Sequence, residues 1–440
     1  MAGAISRYIR SFTGFSRDAR IFLLTTVVFG AALSLYWIDF NLYLESIGVA
    51  RPMFGVLLAA SELAGLLVAL PASALSDRFG RRLVMAGGIA LVAVALFAFL
   101  PGQLPGLFVG VAALGAGSMI VSVVQVPYIA EHTRPDQRNE YFAIWSAIGF
   151  LTGLVAALVG GAVAPQIASR LSLGSASAPY QILLTGVAVL GVLALGTVWL
   201  LTGDRPAGDR TPAIGARRFG IVMVDRSLFF RLLLPGFLTS LGAGQLIPFL
   251  NDFIKTKFGL GLTSVNAIFG IASLGTAVAI LMQPAIARRF GRIGSIVLVQ
   301  SASIPFLLVL GFSPVLWTVV VALAVRNSLM NAGSPIFDAF AMDRVSPAER
   351  ATLSAGMTML WALGWIVAPL YYSQLQARLG FTAGYAVDFV TIIVLYTVAT
   401  YLLWTWFRGT DRAAAVVSVP VDAEGALAAA SVAAEGHSVL

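Results

Sequence analysis

From residue 21 to residue 407 the chain is a succession of apolar runs, each long enough to cross a bilayer, broken by short clusters of Arg, Gly, Pro and Asp. That pattern leaves few folds open. A hydrocarbon core of about 30 Å takes roughly 20 helical residues, and inside it every backbone N–H and C=O must be paired within its own segment, so such runs become membrane helices. Twelve runs are present, at 21–46, 53–76, 83–101, 105–131, 139–168, 180–202, 229–256, 263–287, 293–312, 314–342, 350–377 and 383–407. The expected fold class is an all-α membrane protein with 12 transmembrane helices. With 59% hydrophobic and 11% charged residues, the chain has too little polar surface for a soluble globule of this size.

The charge is placed, not spread. Lys and Arg concentrate before the first run and in every second connection after it, which predicts a multi-pass protein of the cytoplasmic membrane with both termini in the cytoplasm. The net charge of +8 therefore reports topology; nucleic acid is not an expected partner, because the arginines punctuate apolar segments instead of forming a basic surface. The first 20 residues, with Arg7, Arg10, Arg17 and Arg20, lack a short apolar core followed by a cleavage site, so they are expected to stay as a cytoplasmic lead-in. There is no cysteine, and only His132 and His437 offer imidazole, so no metal, haem or disulfide framework is expected and no cofactor is implied. No arrangement of nucleophile, base and orienting group or phosphate loop suggests an enzyme.

The runs divide into two sets of six. Residues 203–228, rich in Arg, Gly, Pro and Asp, form the expected cytoplasmic linker between an N-terminal bundle at 21–202 and a C-terminal bundle at 229–408. The Ala-, Val- and Ser-rich tail 409–440 is expected to be disordered. The halves repeat one another. Ala74-Leu75-Ser76-Asp77-Arg78-Phe79-Gly80-Arg81-Arg82 returns as Ala285-Ile286-Ala287-Arg288-Arg289-Phe290-Gly291-Arg292, and Gly48 pairs with Gly259 at the same offset of 211. Glu131, Pro135 and Arg138 pair with Asp343, Pro347 and Arg350 at 212.

A duplicated six-helix unit with a charged linker and Asp-Arg-Phe-Gly-Arg-Arg between spans two and three resembles the major facilitator superfamily of secondary transporters. The resemblance covers nearly all of residues 20–408, and in composition the chain looks closest to the bacterial drug-efflux-like branch. It implies two six-helix bundles related by a pseudo-twofold axis around a central cavity, with rocking that exposes the cavity alternately to either side. Family members usually show Gly-x-Leu-Ala/Ser-Asp-Arg-x-Gly-Arg-Arg; Leu75, Ser76, Asp77, Arg78, Gly80, Arg81 and Arg82 match, and Ser73 stands where Gly is usual. A carboxylate at this helix end can hold a neighbouring helix terminus and guanidinium groups in one state and release them in the other. Because Arg288 replaces the acid in the second copy, Asp77 is expected to make this conformational latch one-sided. Glu131 with Arg138, and Asp343 with Arg350, are expected to add a second clasp at facing helix ends.

Two departures from the family's proton antiporters stand out. Val109-Gly110-Val111-Ala112-Ala113 lacks the arginine often found early in span four. The span-five Gly-Pro-x-x-Gly-Gly is split between the halves, Gly160-Gly161 surviving in one and Pro369 in the other.

Charge inside the membrane is costly, at least about 2.5 kcal/mol per group, so it is kept for function or for pairing. Glu62 near the middle of span two and Asp39 in span one are the candidates for proton coupling; either takes the proton alone or the two share it, and structural bonding to neighbouring helices is the competing role. Arg326 in span ten, with Asn327 and Asn331 on adjoining turns, is a candidate anchor for an anionic or polar substrate group, or else a partner for a carboxylate such as Glu62. Gln125, Tyr128, Gln245, Trp361 and Trp365 are further cavity candidates. Asp252, Lys255, Lys257 and Asp388 lie near outer helix ends and are expected to face water.

The expected function is secondary active transport of a small organic solute by alternating access, as proton-coupled efflux. The expected partners are the lipid bilayer, a small-molecule substrate and protons, and the expected state is a monomer. An importer or facilitator of a polar or anionic metabolite, anchored by Arg326, is the alternative. A lipid translocator or a transport-dead receptor is the alternative from another class.

Overall fold

The computed structural model describes residues 14–134, 137–202, 223–273, 275, 291–346 and 349–408. Most of the N-terminal lead-in, the linker and the tail fall outside these residues, as do Arg288, Arg289 and Phe290 of the second motif copy. The side chains of Asp77, Arg138 and Asn331 also lie outside the described set.

All regular structure among the described residues is helical. The first half comprises α1 (Arg17–Ser46), α2 (Arg51–Phe79), α3 (Arg81–Phe99), α4 (Leu104–His132), α5 (Arg138–Arg170) and α6 (Ala178–Trp199). In the second half α7 (Arg226–Phe258) is interrupted by a 3₁₀ turn at Ile247–Phe249, and α8 is described over Leu262–Ser273. Next come α9 (Arg292–Phe312) and α10 (Leu316–Asp343). The helical run Arg350–Phe407 is broken at Gly380, whose φ of 68° ends α11 (350–379) and begins α12 (381–407). Eleven of these helices answer to expected spans within a few residues, and the described part of α8 falls on the first half of the eighth.

Local chemistry accounts for the helix starts. The Ser16 hydroxyl accepts the Ala19 N–H at 3.2 Å and Asp225 accepts that of Leu228 at 3.0 Å, covering donors that have no partner in the first turn. Prolines 52, 105 and 179 open α2, α4 and α6, where their missing N–H costs nothing.

The repeat read from the sequence is a repeat of backbone geometry. Gly48 and Gly259 hold φ of 80° and 62°, and Gly80 and Gly291 hold 89° and 73°, conformations in which a Cβ is strained. Gly48 and Gly259 follow equivalent helices, and Gly80 and Gly291 precede equivalent helices, in the two halves.

Within the halves, helices approach through small residues, as packing in lipid favours. A Cβ on Gly115 of α4 would stand 2.0 Å from the Ser61 carbonyl oxygen of α2, and one on Gly117 would stand 2.5 Å from the Gly88 carbonyl oxygen of α3. In the second half a Cβ on Gly364 of α11 would meet the Ser240 Oγ of α7 at 2.2 Å. Gly115→Val is expected to force α2 from α4 and destabilise the protein by about 2–3 kcal/mol, the usual scale of overpacking. Thermal unfolding in detergent checks this; an unchanged midpoint would show that the contact is slack.

The bundle has two ends. The terminal end carries Arg17, Gly80, His132, Gly291 and Phe407, and the far end carries Gly48, Gly102, Gly259 and Gly380.

Candidate functional site

At the far end the two halves are tied together, mostly by polar side chains reaching across. Pro248 cannot continue the α7 ladder, because it has no N–H, and its own carbonyl accepts from Asn41 Nδ2 of α1. In return Asn251 Nδ2 of α7 donates to the Ile38 carbonyl of α1. The exchange is reciprocal, each asparagine bonding the backbone of the other's helix, and Asn41 and Asn251 sit in nearly equivalent repeat positions.

Above this crossing Arg51 forms a hub. Its guanidinium donates to Asp252 Oδ2 at 2.9 Å and Oδ1 at 3.3 Å, to Glu45 at 2.9 Å and to Thr256 at 2.9 Å, and lies 5.1 Å over the Phe381 ring. Lys255 Nζ donates to the other oxygen of Glu45 at 2.6 Å. Tyr385 Oη lies 3.2 Å from Asp252 Oδ2 and 3.0 Å from Tyr372 Oη, and the Tyr372 ring stacks on Phe249 at 3.7 Å. Asp252 is thereby fully buried. The expectation that Asp252 faces water is corrected, because its cation comes from the other half and no local pattern announces it. Asp388 is also fully buried, and neither carboxylate oxygen has a hydrogen-bond partner among the described residues. Lys257 is half-buried, donating to the Gly311 carbonyl at 2.8 Å.

Asp39 lies inside this seal with no exposed surface. Its Oδ1 accepts from Asn266 Nδ2 of α8 at 2.7 Å, whereas Asp39 Oδ2 and Asn266 Oδ1 are buried with no partner among the described residues. Beside them Thr263 donates to the Gly161 carbonyl of α5 at 2.6 Å, and a Cβ on Gly161 would meet Asn266 Cβ at 2.6 Å. The surviving half of the span-five glycine signature is what lets α8 come this close.

Glu62 is placed differently. It is half-buried, one helical turn beyond Leu58, whose side chain lines the small aromatic gap formed with Tyr36, Trp37, Phe40 and Pro248. Among the described residues it makes no hydrogen bond or ion pair. Asp39 and Glu62 are therefore not joined by a hydrogen bond, and Arg326 does not pair with Glu62.

In the second half a cavity of about 470 Å³ runs from the terminal-end turns of α7, α10, α11 and α12 to mid-depth. Arg326 stands at its deep end, 2% exposed. Its Nη2 donates to Tyr396 Oη at 3.1 Å and its Nη1 reaches Asn327 Oδ1 at 3.3 Å, whereas Nε has no partner among the described residues. The walls are largely apolar, with Phe237, Met330, Met357 and Trp361. Trp361 lines this cavity, but Trp365, one turn on, packs edge-to-face on Trp37 of α1 at 6.2 Å. Gln245 is 3% exposed, with its amide nitrogen turned back to the Leu241 carbonyl. Tyr128 has no exposed surface and lies between Phe22 and His132, so in this conformation it belongs to the packing of the first half. Gln125 is half-buried. A larger cleft of about 650 Å³ between α1, α5 and α6 has Thr152 as its one side chain able to hydrogen-bond, which suits lipid chains better than a polar solute.

At the terminal end the latch residues pair within each half. Arg81 grips Glu131 with two bonds of 2.8 Å, and its repeat mate Arg292 pairs with Asp343. Arg82 donates to the Trp199 carbonyl at 2.7 Å and stacks on its ring, and Arg350 donates to the Met342 carbonyl at 3.1 Å. Arg78 lies over Phe79. Glu349, outside the spans, accepts from the Val224 N–H at 2.8 Å and from Ser346, and these bonds hold its carboxyl below the usual carboxylate range.

The residues that sequence reasoning missed are Asn41, Glu45, Arg51, Asn251 and Asn266. Asn41 and Asn251 did carry a signal, since both are intramembrane amides within one residue of the repeat register. The others are ordinary polar residues at helix ends or on a helix face until the halves are docked.

Two helical bundles sealed at one end, with a cavity reaching toward the other, have the architecture of a polytopic transporter. The Major Facilitator Superfamily profile matches residues 22–369 and 233–430, and the chain belongs to that family. It is 28% identical over 340 residues to the class C tetracycline resistance protein of Escherichia coli, covering 74% of this chain and 80% of that protein. The fold is similar to that of the nucleoside transporter NupG, with a TM-score of 0.68 at 15% identity over 89% of this chain and 100% of the other. It is also similar to a bacterial homologue of the human lysosomal transporter Spinster in an inward-facing, unoccupied conformation, with a TM-score of 0.69 at 16% identity over 89% and 97% of the two chains.

Proposed function

We propose that the protein is a proton-coupled exporter of a small organic solute, held here in the conformation that loads from the cytoplasm. The Lys/Arg bias assigns the terminal end to the cytoplasm, so the far-end seal closes the outside and the cavity reaches inward. Kinship with a tetracycline resistance protein supports the export direction.

The observation that carries the coupling is the Asp39–Asn266 pair. The amide already donates to one carboxyl oxygen, and the two remaining oxygens, Asp39 Oδ2 and Asn266 Oδ1, are both buried acceptors without a donor among the described residues. One proton on Oδ2 supplies that donor, turning an ion–amide contact into an acid–amide pair that bridges α1 and α8 across the two halves. Unsatisfied buried polar atoms cost about 1–3 kcal/mol each, so the proton favours far-end closure. Asp39 then takes its proton when the outside is open and closes behind it, and Glu62, below the seal, passes the proton to the cytoplasmic side.

Asp39→Asn mimics the protonated acid. In everted vesicles with an imposed pH gradient, tetracycline accumulation is expected to fall at least tenfold for Asp39→Asn and for Glu62→Gln. Across a far-end pair of engineered labels, the wild-type distance is expected to shorten as pH falls, whereas Asp39→Asn stays short at every pH. Accumulation undiminished in both variants would sink the coupling scheme.

A further inference from the structure

The Arg326 cavity has chemistry that the proposed exporter does not by itself require. Arg326 is a permanent cation, 2% exposed, whose hydrogen bonds go to two neutral groups, Tyr396 and Asn327. No carboxylate lies within ion-pair distance of it among the described residues, and residues 276–290 and 331–336 contain no acid at all. A buried charge without a counter-ion is strongly disfavoured, and a buried guanidinium that lines a cavity without one is set to receive an anion there. Its Nε is itself enclosed and has no partner among the described residues.

The walls select the rest of the ligand. Phe237, Met330, Met357 and Trp361 surround the cavity, and its volume of about 470 Å³ falls within the usual range for drug-sized molecules. Asp338 is the acid on the same wall, but it sits twelve residues along α10 from Arg326, roughly 18 Å at the helical rise. One small zwitterion cannot span both. Asp338 stands instead at the cytoplasmic mouth, where a carboxylate opposes capture of simple hydrophilic anions and an apolar body is needed to offset it.

We propose that this cavity is a binding site for amphipathic organic monoanions, with the carboxylate on Arg326 and an aromatic or aliphatic body against Phe237, Met330, Met357 and Trp361. The assignment rests on the transporter reading for its relevance but not on proton coupling or direction.

Equilibrium binding without any gradient tests it. The purified protein in nanodiscs is titrated with 2-naphthoate, its neutral amide 2-naphthamide, and (2-naphthylmethyl)trimethylammonium, followed by thermal shift and by quenching of tryptophan fluorescence. The naphthoate is expected to bind at least tenfold more tightly than either analogue. Arg326→Gln is expected to remove that preference while leaving weak binding of all three, and Arg326→Lys to restore part of it. Should Arg326→Gln not fold, Trp361→Ala is expected to weaken naphthoate at least fivefold in a protein whose guanidinium is intact. Equal affinity for the three compounds, or a naphthoate preference that survives Arg326→Gln, would overturn the proposal. Failure here leaves the vesicle experiment on Asp39 and Glu62 untouched, and failure there leaves this site standing.

Discussion

Arg51→Ala is expected to unseal the far end and shift the population toward a form open at that end by about 100-fold or more. Asp252 has no exposed surface, and Arg51 is its bidentate cation. Removing one partner of a buried pair leaves an uncompensated charge, a loss of about 3–5 kcal/mol. Arg51 and Glu45 are roughly a quarter exposed, so the lower end of that range applies. In the open form both carboxylates regain water, which is why the cost falls on the closed state and not on folding. Because the chain has no cysteine, single labels can be placed on α2 and α7 without background and their distance followed by spin-label spectroscopy. Replacing both members, Arg51→Met with Asp252→Leu, is expected to restore much of the closed population, since no charge is then stranded. A closed fraction unchanged in Arg51→Ala would show that the hub is ornamental and that the other contacts between the halves hold the seal.

The second large effect comes from a residue with no side chain. A Cβ on Gly55 would stand 2.0 Å from the Pro369 carbonyl oxygen and 2.3 Å from Ser373 Oγ, both on α11 of the opposite half. The obstructing atom is backbone, so rotamer change cannot relieve it. Gly55→Val is therefore expected to prevent α2 and α11 from meeting, holding the protein open at the far end while each half keeps its own packing. Thermal stability should change little, in contrast to Gly115→Val, which wedges two helices of the same half. Labels at the far end should report one long distance at every pH, and transport should fall to background. Gly161→Ala, whose methyl meets Asn266, is expected to give a milder form of the same shift. A far-end distribution in Gly55→Val matching the wild type would refute the steric argument.

Much of the architecture was legible in the sequence because the bilayer demands it. Apolar runs of fixed length declare the helices, and the glycines at 48, 80, 259 and 291 mark turns whose positive φ excludes other residues. The repeat alignment also paired Glu131 with Asp343, and the structure gives each an arginine at the matching repeat position, Arg81 and Arg292. The site was legible only in part. Asp39, Glu62 and Arg326 were conspicuous because intramembrane charge is costly wherever it occurs. Their partners were not: Asn266 is 227 residues from Asp39, and Tyr396 is 70 from Arg326. Asp252 misled for the same reason, since a charge near a helix end looks solvated until the cation that buries it is supplied from 201 residues away.

The sequence by itself determined the solvent, the number of spans, the duplication and the family, because each follows from local rules of length, hydropathy and backbone conformation. Only the tertiary structure decided which end is shut, which charges are paired across the halves and which cation is left facing a cavity. Those are properties of docking two bundles against each other, and docking brings together residues whose separation in the chain no local pattern encodes.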